Sequence, residues 1–242
     1  MPKTATRMPT IGVLKLDTAF ERFIGDIGNP RSLPYPTILE TVAGATATRI
    51  TSLTDDQMLG PFIEAGHRLI ARGADAITTT CGFLALYQRE LAASLPVPVA
   101  TSSLLQVAFA EAVLPKGKRA GVLTFNASNL GPKHLAAAGA PADTPIVGLD
   151  QASPMFTDIL GKGPPTSNAE REETSLAAAR ELQRCVPNLG AVVVECTNIA
   201  PYSAAISQAL GVPVFDTITL VEWLATAVRP HVYGGPRNSQ PA

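Results

Sequence analysis

The sequence predicts an α/β protein built on parallel sheets. Short β-rich apolar runs alternate with helix-like segments along the chain, the pattern of successive strand–helix units. Some runs, such as Ala191-Val192-Val193-Val194, are apolar without alternation, as strands covered on both faces are. A stretch of the first half also returns, in register, in the second.

Strands are expected at Thr10–Leu16, Thr37–Val42, Ala74–Thr80, Val97–Thr101, Arg119–Phe125, Pro145–Leu149, Ala191–Glu195 and Val212–Asp216. Helices are expected at Asp55–Arg72, Leu84–Leu95, Ser103–Leu114, Asn129–Ala138, Asn168–Cys185, Pro201–Leu210 and Leu220–Val228. In the first helix, Thr54 and Asp55 offer oxygens to the free N–H groups of the opening turn, and Gly73 follows its end. Phe62, Leu69 and Ile70 fall on one side of it. Ser102, Ser103, Asp216 and Thr217 stand where helix caps belong. Gly161–Ser167 reads as a loop before a long helix, and Arg229–Ala242, rich in Pro, Gly and Asn, as a loose tail.

Shifting residues 76–105 by 115 positions onto 191–220 aligns nine identical pairs in thirty. They include Cys81/Cys196, Tyr87/Tyr202 and Pro98-Val99/Pro213-Val214. Gly12-Val13-Leu14 is echoed by Gly121-Val122-Leu123, with Asp17 opposite Asn126. Shared strand–helix grammar alone would produce some of this likeness. Paired cysteines and tyrosines favour duplication, with a first half at 1–115, a second at 116–228 and the tail at 229–242. The last helix, 218–228, has the option of crossing back to the first half.

Composition narrows the function classes. The chain has 242 residues, 46% of them hydrophobic and 16% charged, enough apolar material for a large core. Its 19 basic and 20 acidic residues leave no basic excess, which argues against nucleic acid as a partner. The longest uncharged run, Cys196–Phe215, is broken by prolines and polar residues and is a poor membrane span. No apolar leader follows Lys3 and Arg7. A cytoplasmic protein is the expectation.

The three cysteines, Cys81, Cys185 and Cys196, are too few and too odd in number for a disulfide framework. Cys81 and Cys196 each stand where a strand ends and a helix begins, the side on which open α/β sheets bind ligands. A lone buried cysteine is as readily packing as chemistry; two at equivalent positions point to a shared site. Thiols on opposite faces of one carbon can remove a proton from one side and deliver one to the other. Cys185 has no counterpart in the repeat and is expected to pack.

Thr79-Thr80-Cys81-Gly82, Glu195-Cys196-Thr197-Asn198 and the two following Pro-Val pairs resemble the aspartate/glutamate racemase superfamily, whose relatives include hydantoin racemases, maleate isomerases and arylmalonate decarboxylases. The resemblance spans roughly residues 10–225. It implies two flavodoxin-like domains related by a pseudo-twofold, with the active site between them and neither pyridoxal phosphate nor metal. It implies Cys81 and Cys196 as acid/base thiols. Thr197 and Gly82 would hold a substrate carboxylate, Asn198 would stand in place of an assisting histidine, and Asp17 would stand near that of an assisting aspartate. Thr124 and Asn126 would contribute substrate-binding groups. The expected activity is a racemase or epimerase acting on an amino acid or related small carboxylate. The other readings are a maleate-isomerase-like or arylmalonate-decarboxylase-like enzyme and, outside enzymes, a small-molecule binding protein. A homodimer or higher homo-oligomer is the expected assembly.

The chain departs from the family pattern in four places. Asp17 is not within Asp-Ser-Gly, Asn198 cannot shuttle a proton as histidine does, and Glu195 and Gly82 stand where Gly and Thr are usual. These departures argue against glutamate as the substrate. Asp17 is as readily a turn residue, and Asp26 lies in a loop that either lines the cleft or only turns. Tyr87 and Tyr202 are expected to pack, as is Trp223. His67, His134 and His231 lack ligand spacing, so no zinc site is expected.

Overall fold

The structure is a computed structural model and describes residues 7–52 and 57–230. In chain order it contains β1 (Ile11–Leu16), β2 (Thr37–Val42), α1 (Ala47–Thr51), α2 (Leu59–Ala71), β3 (Ala76–Thr79), α3 (Gln88–Ser94), β4 (Val99–Ala100) and α4 (Val107–Val113). There follow β5 (Arg119–Thr124), α5 (Pro132–Ala137), β6 (Ile146–Gly148), α6 (Pro154–Ile159), α7 (Asn168–Cys185), β7 (Leu189–Val194), α8 (Ser203–Leu210), β8 (Val214–Phe215) and α9 (Thr217–Val228). Short 3-10 segments at Gly82–Tyr87, Ser103–Gln106 and Ala200–Tyr202 lead into α3, α4 and α8.

The strands form two parallel four-stranded sheets, ordered β2-β1-β3-β4 and β6-β5-β7-β8. The second order is the first with four added to each strand, so the repeat in sequence is a repeat in topology. All eight expected strands are present. Every residue of β7 is buried, which accounts for its unbroken apolar run.

Helix boundaries moved where local chemistry differs from the periodic pattern. The segments read as helix from Leu84 and Ser103 begin as tighter 3-10 turns. The helix expected at Asp55–Arg72 is α2 and begins at Leu59, and its expected caps Thr54 and Asp55 lie outside the described residues. Asn168–Cys185 is found as read, opened by a capping box in which Ser167 and Glu170 satisfy each other's backbone N–H. The short helices α1 and α6 were not anticipated; five and six residues are too few to display a period.

Helix α9 crosses back to the first sheet, where Val221 and Ala225 pack with Ile11, Val13 and Ala76. Trp223 was expected in the core and is instead 60% exposed. At two residues from both Val221 and Ala225 it sits on the far side of the helix, tilted against Phe109. Cys185 is likewise exposed rather than packed; it ends α7 and donates to Glu181 Oε1 at 3.2 Å. Tyr87 and Tyr202 both pack in the main core. Arg229 donates to Asp75 at 2.7 Å; the tail beyond residue 230, with His231, lies outside the described residues. Among the described residues no helix is long and apolar enough to cross a membrane.

Candidate active site

In a sheet ordered 2-1-3-4 the chain leaves the first and third strands in opposite directions, which opens a crevice at their carboxyl ends. Here two such crevices meet. Leu16 ends β1 and Thr18 follows it, Thr80, Cys81 and Gly82 follow β3, Phe125 follows β5, and Glu195 to Asn198 follow β7. All of them line one cavity. Phe20, Phe83, Leu16 and Ile159 make much of its wall apolar.

Each cysteine is placed by one further rung of its sheet. Thr80 N–H donates to Leu14 O at 3.1 Å, and Glu195 N–H to Leu123 O at 2.7 Å. The next residue then turns away from the sheet and opens a helical turn, Cys81 with φ −153°. The halves are tied together at this point. Thr197 Oγ1 donates to Thr80 O at 3.0 Å, and Ser103 Oγ to Val194 O at 2.6 Å.

Glu195 is the feature that sequence reading registered only as a departure. It is 1% exposed. Its Oε2 accepts from Thr124 Oγ1 at 2.6 Å, while Oε1 has no hydrogen-bond partner among the described residues. A Cβ on Gly82 would collide with that Oε1 and stand 2.6 Å from Glu195 O. The two departures are therefore one exchange: glycine after the first cysteine makes room for glutamate before the second.

The electrostatics follow from this burial. Desolvation lifts the Glu195 carboxyl to about 7, partly offset by the Thr124 hydroxyl. Cys81 is pushed up to about 12 by burial and then by Glu195; the Phe83 N–H and the Arg22 guanidinium pull the other way. Cys196 is raised well above the ordinary thiol range by burial, Glu195, Cys81 and Asp26, against the Asn198 N–H. Cys196 is buried whereas Cys81 keeps some exposure.

Behind Cys196 runs a polar chain. The thiol donates weakly to Asn198 Oδ1 at 3.9 Å, and Asn198 Nδ2 donates to Asp26 Oδ2 at 2.5 Å. Asp26 in turn accepts from Arg22 at 2.9 and 3.0 Å. Arg22 lines the cavity with only 7% of its side chain exposed. Sequence reading weighed Asp26 without choosing it and missed Arg22, Phe20 and Phe125. The long reach from loop to site carries no local signal, but a charge closing an apolar strand, as at Glu195, does.

Of the residues singled out from sequence, Cys81, Gly82, Cys196, Thr197 and Asn198 line the cavity. Thr124 lies one layer behind, on Glu195. Asp17 lies apart: it is exposed and its Oδ2 accepts from Gly44 N–H at 3.0 Å, so Asp26 rather than Asp17 supplies the carboxylate of this network. Asn126 also lies apart, accepting from Ser128 N–H and from Gln151. No group of three or more His, Cys, Asp or Glu suited to a metal occurs among the described residues.

No protein-family model matches the chain. It is 32% identical over 232 residues to dimethylsulfoniopropionate lyase 5 of Emiliania huxleyi (strain CCMP1516), an alignment covering 90% of this chain and 45% of that protein. It is 25% identical over 226 residues to dimethylsulfoniopropionate lyase of Durusdinium sp. clade D, covering 88% of this chain and 73% of that one. The chain thus spans less than half the length of the first of these relatives. Among solved structures, a glycine-to-cysteine mutant of arylmalonate decarboxylase superposes with a TM-score of 0.62, at 15% identity, over 94% of this chain and 97% of its own. Allantoin racemase from Pseudomonas fluorescens superposes at 0.56, with 17% identity and 90% of each chain covered. The chain shares its fold with these arylmalonate decarboxylase and racemase structures.

Proposed function

We propose that the chain is a lyase that removes the proton beside a carboxylate with Cys81 as base and completes the reaction by β-elimination. The observation that carries this reading is the inequality of two thiols lining one cavity. A stereoinverting enzyme ends each turnover with its two acid/base groups in exchanged protonation states, so both must ionise with comparable ease. Here Cys196 is buried with Asp26 as a further negative neighbour, and its S–H is engaged by Asn198 Oδ1. Cys81 has a positive neighbour in Arg22 and access to the cavity. Such a pair suits a proton removed from one side and not returned to the other.

In the proposed step the Cys81 thiolate takes the Cα proton and becomes a thiol. The carbon's electron pair moves into the Cα–Cβ bond as the bond from Cβ to the leaving group breaks, and the leaving group departs with that pair. The thiol then returns its proton to solvent. On dimethylsulfoniopropionate, the molecule in the relatives' names, the products are dimethyl sulfide and acrylate. Carbanion character would be eased by the N–H groups of the turns that open after Cys81 and Cys196 and by Arg22.

The reading is tested by supplying dimethylsulfoniopropionate and measuring dimethyl sulfide in the headspace with acrylate in solution. Equal amounts of the two, lost in Cys81→Ser, are expected. No dimethyl sulfide, together with a circular-dichroism change on a chiral amino or hydantoin acid, would overturn it in favour of the second reading. That reading, two-base racemisation, is favoured by the delivery of one thiol from each half to the same cavity.

A further inference from the structure

Three buried side-chain atoms lack a hydrogen-bond partner among the described residues: Arg22 Nε, Arg119 Nε and Glu195 Oε1. Two of the three belong to residues that line the cavity. An unpartnered carboxylate oxygen in an apolar enclosure is costly unless a proton or a cation meets it. Nothing in the step assigned to Cys81 uses Glu195. Its ionised form opposes that step, because a negative charge beside the thiol resists a second one. Gly82 nevertheless gives up a side chain to hold the carboxyl there.

We propose that Glu195 is a specificity-determining residue that selects substrates carrying a fixed onium charge, meeting it with Oε1 in a cavity whose remaining wall is largely apolar and aromatic. This rests on the lyase reading of the same site. The lining separates an onium from an ordinary ammonium. Phe20, Phe83 and Phe125 offer rings, which attract cations without accepting directed hydrogen bonds. An ammonium brings three N–H donors, each needing an acceptor once buried; a sulfonium or quaternary ammonium brings none. Arg22, at the same cavity, supplies a positive group for the carboxylate end. A bound onium also offsets the charge that keeps Cys81 protonated, so the base becomes available when the matching substrate is present.

Two acids of the same shape isolate the charge: 3-(trimethylammonio)propanoate, whose amine is a much poorer leaving group than dimethyl sulfide, and its uncharged isostere 4,4-dimethylpentanoate. Their affinities are measured by calorimetry on the full chain and on Glu195→Gln at pH 8.5, with protection of Cys81 from iodoacetamide locating the ligand in the cavity. The wild type is expected to bind the onium acid at least about tenfold tighter than the isostere, and Glu195→Gln to hold the two within about twofold. A ratio unchanged by the substitution overturns the inference, as does failure of the onium acid to bind the wild type. A second measurement needs no variant: protonating Glu195 at pH 5.5 should collapse the wild-type preference, and a preference that persists there also overturns it. Failure of the lyase reading shows separately, as absence of dimethyl sulfide.

Discussion

Thr80-Cys81-Gly82 and Glu195-Cys196-Thr197 occupy the same place in the two halves of this molecule, and they differ in every residue but the cysteine. The backbone treats them alike, with the same further rung of sheet and the same turn into a helix. The side chains do not. Thr80 folds back onto its own half, where its Oγ1 accepts from Leu16 N–H at 3.0 Å. Its counterpart Glu195 reaches across to Gly82. Thr197, the counterpart of Gly82, reaches across in turn to Thr80 O. The repeated topology holds two thiols at equivalent places, and their neighbours differ. Similar backbone geometry therefore does not imply similar surroundings, since Asp26 acts on Cys196 and Arg22 on Cys81.

The largest expected effect tests that inequality directly. Cys81→Ser should lower the rate of elimination by about 10²–10⁴-fold, the usual worth of a general base, and Cys196→Ser by at least about tenfold less. Equal losses in steady-state kinetics would break the comparison and point to two interchangeable thiols.

The next effect is on stability against pH. The Glu195 carboxyl rises from 4.5 in the unfolded chain to about 7 when folded. Its contribution is fully present below 4.5 and is lost as pH climbs to about 7, because the unfolded chain releases the proton first. The difference in unfolding free energy between wild type and Glu195→Gln should shift against the wild type by roughly 3 kcal/mol across that window. A difference that stays flat with pH in urea titrations would mean that Glu195 titrates normally.

Gly82→Ala forces a methyl group onto Glu195 and should cost about 1–3 kcal/mol. Combining it with Glu195→Gly should reveal a coupling of about 0.5–3 kcal/mol in a double-mutant cycle. Strict additivity would show that the two positions are independent. At the small end, Cys185→Ser should change stability by no more than about 0.5 kcal/mol and leave activity unaltered, since that thiol is on the surface.

Much of the scaffold was legible because its signals are local. Continuous apolar runs announced buried parallel strands, and the Gly- and Pro-rich stretch 161–167 announced where α7 starts. The cysteines were legible for a different reason: a gap-free repeat put them in register before any geometry was known. Trp223 and Cys185 were misplaced because a residue's type suggests burial but only the packed face of its helix decides it. Asp17 was weighed for the site where Asp26 lies, because loop length hides which carboxylate after β1 turns inward.

The order of residues by itself determined the α/β class, the two halves, and the position of one thiol at the end of one strand in each, since all three arise from short-range patterning and from repetition along the chain. Only the tertiary structure decided that the thiols share a cavity, that Glu195 and Gly82 are complementary across the halves, and that Arg22 and Asp26 join the network. The physical reason is that burial and charge act through space, on groups more than a hundred residues apart in the chain, and no local pattern records that proximity.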